Sequence, residues 1–187
     1  MQKQPIIKLF SHALILAMSV ANLNMAYAGC HPSIPKSTPT NRFTILNGGS
    51  EVKDNATGLI WQRCSIGQTW SIKGCGAAVE AKKLTWHEAL KEAHALGNGY
   101  RLPNIRELTS IVEVSCANPA INTTIFPNTA DGYYWSSSPH ATAGAYSLGF
   151  ETSGHALGVS FSNGTTNYND KNKKSNSSYV RAVRSAP

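Results

Sequence analysis

Residues 99–113 read Gly-Tyr-Arg-Leu-Pro-Asn-Ile-Arg-Glu-Leu-Thr-Ser-Ile-Val-Glu, and this stretch dictates an abrupt change of backbone direction. Pro103 disfavours helical backbone at Leu102 and keeps the preceding residues extended. Asn104 is a favourable helix N-cap, and Glu107 follows three residues later, as in a capping box. Apolar residues then recur at helical spacing, at Ile105, Leu108, Ile111 and Val112. The stretch therefore predicts an extended arm followed by a short amphipathic helix.

A second helix is predicted upstream of this stretch, with the same type of start. Thr85 is the predicted N-cap, Glu88 completes a capping box, and Gly97 ends the helix. Its predicted buried stripe consists of Trp86, Ala89, Leu90, Ala93 and Leu96. Alternating or β-forming stretches predict strands at 42–46, 58–64, 133–138, 145–151, 155–161 and 178–184. Two helices among short antiparallel strands indicate an α+β domain.

The first 28 residues predict a secretory signal peptide. Lys3 and Lys8 form a basic start, residues 13–21 are apolar but too few to span a bilayer, and residues 26–28 match an A-x-A cleavage site. Residues 27–30 also match a lipoprotein box in part. Lipidation of Cys30 is the less favoured alternative, because Tyr27 stands where an aliphatic residue is usual. We expect an exported protein, in the periplasm, at the cell surface or outside the cell, with no transmembrane segment after the signal.

Cleavage at this site leaves an even number of cysteines, which in an exported chain indicates disulfide bonds. The four cysteines are Cys30, Cys64, Cys75 and Cys116, and three pairings are possible. We favour Cys64–Cys75, which are close in sequence, and this pairing leaves Cys30–Cys116. Cleavage also removes two lysines, so 15 basic and 10 acidic residues remain, with a net charge of +5. Such a protein attracts acidic polymers or surfaces.

Several motifs together resemble the Lcl C-terminal domain, a bacterial domain of unknown function at the C-terminus of the Legionella collagen-like adhesin. They cover nearly all of residues 42–184 in family order. The matching stretches are 54–64, 67–70, 85–86 with 89–90, 101–104 with 107–108, 118–122, 126–127, 134–138 and 180–184. We therefore divide the chain into a signal peptide (1–28), an extended arm (29–41) and one Lcl C-terminal-like domain (42–187).

The resemblance implies a C-type-lectin-like fold, with two helices packed on short, mostly antiparallel, disulfide-stapled strands. It also implies a similarity to formylglycine-generating enzymes. Their chemistry needs a reactive cysteine pair late in the domain, and no cysteine follows Cys116 in this sequence. Nucleophile-elbow, His-Glu-x-x-His and phosphate-loop motifs are also missing from the sequence. The sequence also lacks the residue triplets through which C-type lectins bind sugar with calcium. We expect no catalytic residues, no cofactor and no metal ligands.

Tryptophans and the most polar loop are the candidate binding residues. Trp61, Trp86 and Trp135 are expected in the core, whereas Trp70 lies in a predicted loop and is open to a ligand. Arg101 is expected to pair with a carboxylate. The predicted loop 163–178 is long and polar, and it carries Lys171, Lys173 and Lys174.

These lysines and Trp70 are the predicted contacts for an anionic glycan such as a sulfated glycosaminoglycan, which is the ligand class suggested by the family resemblance. The sequence thus predicts a non-enzymatic, adhesin-like binding module whose partner is an anionic polysaccharide or a surface protein. Nucleic acid is not an expected partner. The alternative is a periplasmic or envelope structural and assembly factor, such as a pilus accessory, that acts through protein contacts.

Overall fold

The computed structural model describes residues 29–76, 80–140 and 154–187. The predicted signal peptide (1–28) and the predicted strand at 145–151 lie outside the described residues. In the described part, no helix is long and apolar enough to cross a bilayer.

The described residues form two helices and a set of short strands. The helices are α1 (Trp86–Ala95) and α2 (Ile105–Thr109). The strands are β1 (Gly29–Cys30), β2 (Phe43–Leu46), β3 (Glu51–Asp54), β4 (Leu59–Gln62), β5 (Trp70–Ser71), β6 (Gly74–Cys75), β7 (Cys116–Ala117), β8 (Tyr133–Pro139), β9 (His155–Ser160), β10 (Thr165–Asp170) and β11 (Val183–Ser185).

All named strands pair antiparallel with their neighbours, so the α+β prediction is confirmed. One sheet has the order β11-β4-β3-β2 and a second has the order β10-β9-β8, while β1-β7 and β5-β6 form two-stranded ribbons. The C-terminal strand enters the first sheet beside β4, where Val183 lies opposite Trp61. Residues distant in sequence therefore complete this sheet.

The helix starts follow the sequence prediction. Thr85 caps α1 and Asn104 caps α2, and each cap is part of a capping box with Glu88 or Glu107. Arg101 donates to both carboxylate oxygens of Glu107 at 2.7 Å, which confirms the expected ion pair. The helix α2 ends at Thr109, so Ile111 and Val112 join the core from beyond it.

Two apolar clusters form the core. The first joins α2, the four-stranded sheet and β8–β9, with Trp61, Phe126, Tyr134 and Phe161 fully buried. The second lies between α1 and β8, where Trp135 packs against Ala89 and Ala93. The predicted stripe of α1 is correct except at Leu96, which is exposed at the end of the helix.

The N-terminal arm is held by Glu113, whose side chain is only 1% exposed. Its carboxylate accepts hydrogen bonds from the backbone N–H groups of Ser37, Thr38 and Ser115 at 2.8–3.0 Å, and also from their hydroxyls. Burial alone would raise the pKa of Glu113, but these hydrogen bonds outweigh it and lower the pKa to about 2. The ionised Glu113 carboxylate is therefore one of the groups that fix the arm to the domain.

Both favoured disulfides are present, Cys64–Cys75 and Cys30–Cys116. The first closes the β5–β6 hairpin onto the end of β4, and the second joins the paired strands β1 and β7. The bonds therefore staple the two ribbons, which are too short to be stable by strand pairing alone.

The loop prediction for residues 163–178 is wrong in its first half. Thr165–Asp170 is strand β10, which pairs with β9 over all six residues. The sequence Thr-Thr-Asn-Tyr-Asn-Asp lacks an apolar face because both faces of this edge strand are largely exposed. The closing strand is also shorter than predicted, since β11 begins at Val183 and residues 178 and 179 make only isolated bridges.

Candidate functional site

The candidate surface centres on residues 171–174, which we call the lysine segment. It follows β10 directly and has a defined backbone. The Lys171 N–H donates to the carbonyl of Gly154 at 2.7 Å, the Asn172 N–H donates to the Asp170 carboxylate at 2.9 Å, and a 3₁₀ turn begins at Lys174. The three lysines are therefore presented on a hydrogen-bonded turn.

Each lysine has a different neighbour. The Lys171 ammonium lies 4.9 Å from the ring centroid of Trp86, within cation–π range. The Lys173 ammonium is 3.8 Å from the Asp170 carboxylate, yet its side chain is 69% exposed, so this ion pair is weak. Hydrogen bonds from Thr85 lower the pKa of Glu88, and the charge of Lys174 lowers it further. The lysine segment thus lies against the start of α1.

Lys83 also joins this surface, although no sequence pattern marked it as a candidate. Leu84 and Ser178 exchange two backbone hydrogen bonds of 2.9 Å, and this pairing brings the residues before α1 beside the end of the lysine segment. The Lys83 ammonium lies 5.2 Å from the ring centroid of Tyr179. Four lysines therefore face two neighbouring carboxylates, those of Asp170 and Glu88, and the surface has an excess of positive charge.

Trp86, rather than Trp70, is the tryptophan beside the lysines. Trp61 and Trp135 are fully buried as predicted, whereas Trp86 is half-buried and its indole N–H donates to the Ser136 carbonyl at 2.8 Å. This leaves part of the Trp86 ring at the surface under Lys171. Trp86 is thus both a core residue and a surface residue.

Trp70 is held elsewhere in the molecule. Its indole N–H donates to the Gly48 carbonyl at 3.0 Å, and the Arg63 guanidinium lies 4.3 Å from its ring centroid. A side chain at Gly49 would collide with the same ring, so the backbone of residues 48–49 packs directly on Trp70. Among the described residues, the indole of Trp70 has Gly48, Gly49 and Arg63 as partners, and none of them belongs to the lysine segment.

Two further arginines on the family motifs are buried (Arg181) or half-buried (Arg184). Arg181 is 0% exposed, and its guanidinium donates to backbone carbonyls of Gln62 and Arg63 and to the hydroxyls of Ser65 and Thr129. Burial lowers the pKa of Arg181. Arg184 pairs with Glu51 at 3.0 Å on the closing strand. Both side chains therefore hold the fold together.

The structure also brings together two histidines that are far apart in sequence. His140 stacks on Tyr168 with a centroid distance of 4.3 Å, and His155 meets the same ring edge-on at 5.4 Å. No set of three or more His, Cys, Asp and Glu side chains with metal-binding geometry occurs among the described residues. This aromatic group is a neighbour of the lysine segment through Asp170, which lies opposite His155 in the β9–β10 register.

The comparison with known families decides the classification. The family model of the Lcl C-terminal domain matches residues 50–184, which is more than half of the 187-residue chain. The chain belongs to the Lcl C-terminal domain family. None of the curated proteins compared with it matches significantly.

Membership of the Lcl C-terminal domain family fits an adhesin-like surface module. The matched range includes both capping boxes, the lysine segment and the buried Arg181, and it excludes the arm held by Glu113. The two disulfides are compatible with an exported domain. For this Lcl C-terminal domain, the charged surface beside α1 is the strongest binding candidate of the described residues.

Proposed function

We propose that this chain is an exported, non-enzymatic binding module that recognises anionic glycans through the lysine segment, with Lys83 and Trp86 as additional contacts. The observation that carries the proposal is the placement of three lysines on one hydrogen-bonded turn beside a partly exposed indole. A sulfated polysaccharide pairs its charges with such ammonium groups and releases counterions, while a sugar ring can stack on an aromatic side chain.

Supporting features come from the scaffold. We propose a C-type-lectin-like architecture for the domain, and the two helices on short antiparallel strands with two disulfides support it. The turn that carries the lysines is fixed at Gly154 and Asp170, so little backbone entropy is lost when a ligand binds. The chemistry needs no cofactor or nucleophile, in line with the non-enzymatic role that we propose.

The test is a salt titration of binding to immobilised heparin. A Lys171/Lys173/Lys174→Ala variant should elute at lower salt, and the slope of log affinity against log salt should fall by about 2–3, because up to three phosphate-like contacts are lost. The matched control is Lys36/Lys73/Lys91→Ala, which removes the same charge from exposed sites. Equal elution of wild type and the first variant contradicts the assignment of the lysine segment.

A second candidate function is an envelope structural or assembly factor that acts through protein contacts. The observation that favours it is Ile72, which lies at the tip of the β5–β6 hairpin and is fully exposed. Cys75 of this hairpin is bonded to Cys64, so the tip is rigidly presented. Salt-resistant capture of an envelope protein by wild type, and its loss in Ile72→Asp, would favour this function over glycan binding.

A further inference from the structure

A cleft of about 360 Å³ lies apart from the lysine segment. Its lining includes Gln68, Glu80, Asn128, Thr129 and Tyr179, and none of the residues 171–174. The volume falls within the range of roughly 300–1,000 Å³ that is typical of small-molecule sites. Because five separate chain segments contribute to its walls, the cleft exists only in the folded domain.

The walls of the cleft are held by hydrogen bonds that leave little freedom. Gln68 accepts from the Ser65 N–H at 3.1 Å and donates to the Asn128 carbonyl at 3.2 Å. The Thr129 hydroxyl donates to the Phe126 carbonyl at 2.8 Å and accepts from the Arg181 guanidinium at 2.7 Å. These groups are already hydrogen-bonded within the protein, so they set the shape of the cleft.

The aromatic wall is equally fixed. Tyr179 donates its backbone N–H to the Tyr133 carbonyl at 3.0 Å, and its ring packs on Tyr134 with a centroid distance of 5.3 Å. A side chain at Gly132 would stand 3.0 Å from the Tyr179 ring, so the backbone there approaches the ring closely. The ring is nevertheless only half-buried, and it is part of the cleft lining.

Three polar groups remain available to a ligand. The Asn128 side-chain amide, the Glu80 carboxylate and the Tyr179 hydroxyl have no hydrogen-bond partner among the described residues, and all three residues line the cleft. Together they offer amide donors, carboxylate acceptors and a phenol that does both. Such a set is suited to ligand hydroxyl groups, since each hydroxyl both donates and accepts.

The charges around the cleft argue for an uncharged ligand. Glu80 repels an anion from the rim. The Lys83 ammonium lies 5.2 Å from the Tyr179 ring centroid, and the buried Arg181 guanidinium donates to the Thr129 hydroxyl, so charges of both signs surround the cleft and neither an anion nor a cation meets attraction alone. A polyhydroxylated ring with one apolar C–H face fits these conditions, because its apolar face can contact the exposed part of Tyr179 between Lys83 and Tyr134.

We propose that this cleft binds a single uncharged sugar residue, with its C–H face on Tyr179 and its hydroxyls on Glu80 and Asn128. None of residues 171–174 lines this site, although Lys83, over the Tyr179 ring, lies between the two surfaces. The proposed ligands also differ in charge. The existence of the site does not depend on anionic glycan binding.

The test uses the oxidised protein with isotope labels and methyl glycosides of glucose, galactose, mannose and N-acetylglucosamine as probes. We expect at least one probe to give saturable amide shifts at residues 68, 128–130 and 179, with a dissociation constant of about 1–10 mM. The affinity should stay the same when the salt concentration rises about tenfold, because no ion pair is involved.

Two conservative variants and two controls complete the test. Glu80→Gln and Asn128→Asp should each weaken the binding at least threefold; the second variant keeps a residue that tolerates the positive φ of position 128. Glu92→Gln, on the exposed side of α1, should bind as wild type. The Lys171/Lys173/Lys174→Ala variant should also keep the sugar affinity, while both cleft variants keep heparin binding.

Failure of this proposal is distinct from failure of the proposed glycan function. Absence of saturable shifts with all four probes, or unchanged affinity in both cleft variants, overturns the sugar site whatever the heparin result. Loss of sugar binding in the lysine variant would also overturn it, because that result would place the sugar on the lysine segment.

Discussion

Glu113 and the lysine segment both carry charged side chains, but they differ in burial and in the number of their polar partners. The Glu113 carboxylate is almost completely buried and accepts bonds from three backbone N–H groups and three hydroxyls. The ammonium groups of Lys171 and Lys173 have one neighbour each, and Lys173 is largely exposed. The Glu113 carboxylate uses its hydrogen-bonding capacity within the scaffold. The lysine ammonium groups keep most of their hydrogen-bonding capacity free.

The largest expected effect concerns Glu113 itself. Glu113→Ala should lower the free energy of unfolding by about 3 kcal/mol, because the buried donors of Thr38 and Ser115 lose their acceptor. Urea unfolding with the disulfides intact, followed by tryptophan fluorescence, measures this loss. The matched control is Glu92→Ala, an exposed carboxylate on α1, which should change stability by no more than about 0.5 kcal/mol. Equal stability of the two variants would refute the scaffold role of Glu113.

A smaller effect on the free energy of unfolding is expected when the pH is lowered. The pKa of Glu113 is about 2 in the folded protein and near 4.5 without these contacts. Its stabilisation is therefore fully present above pH 4.5 and is lost as the pH falls towards about 2, since the unfolded chain takes up the proton first. The difference in unfolding free energy between wild type and Glu113→Gln should shrink across this window. A difference that stays constant from pH 6 to about 2 would contradict the lowered pKa.

The smallest effect on stability is expected at the lysine segment. Lys171/Lys173/Lys174→Ala should change the free energy of unfolding by less than about 1 kcal/mol, because exposed ion pairs and cation–π contacts contribute little. The measurement is the same urea titration that is applied to Glu113→Ala. A loss as large as that of Glu113→Ala would show that the lysines belong to the scaffold, and the comparison between the two regions would fail.

Local sequence signals predicted much of the scaffold. The caps at Thr85 and Asn104 need only residues three positions apart, and both capping boxes are present. The favoured pairing of Cys64 with Cys75 also depended on proximity in sequence, and it is confirmed. Such features are predictable because the interacting groups are close together along the chain.

Features that depend on distant residues were missed. The strand β10 has no apolar face, and it is held by its pairing with β9. The turn at Asn163-Gly164 after an alternating strand was the available signal for a hairpin. Glu113 showed no local sign of burial, because its donors Ser37 and Thr38 lie on the arm more than 70 residues away.

The candidate site was predicted in part. The three lysines were selected from composition, and the structure adds Lys83 and Trp86, which meet them through the pairing of Leu84 with Ser178. Trp70 was selected because it lies in a loop region, but its ring is already packed on the backbone of residues 48–49 and under Arg63. A position in a loop does not by itself show whether an aromatic ring is accessible to a ligand or is packed against the rest of the domain.

The place of β11 beside β4 also determines when the domain can acquire its structure. Residues 59–61 have no partner on this side until residues 183–185 have been synthesised, and Arg181 reaches its carbonyl partners at Gln62 and Arg63 at the same late stage. Cys64 and Cys75, separated by 11 residues, can meet early, whereas Cys30 must wait for a partner 86 residues further on. A chain that is still being synthesised thus lacks one strand of its first sheet, and this sheet is completed late.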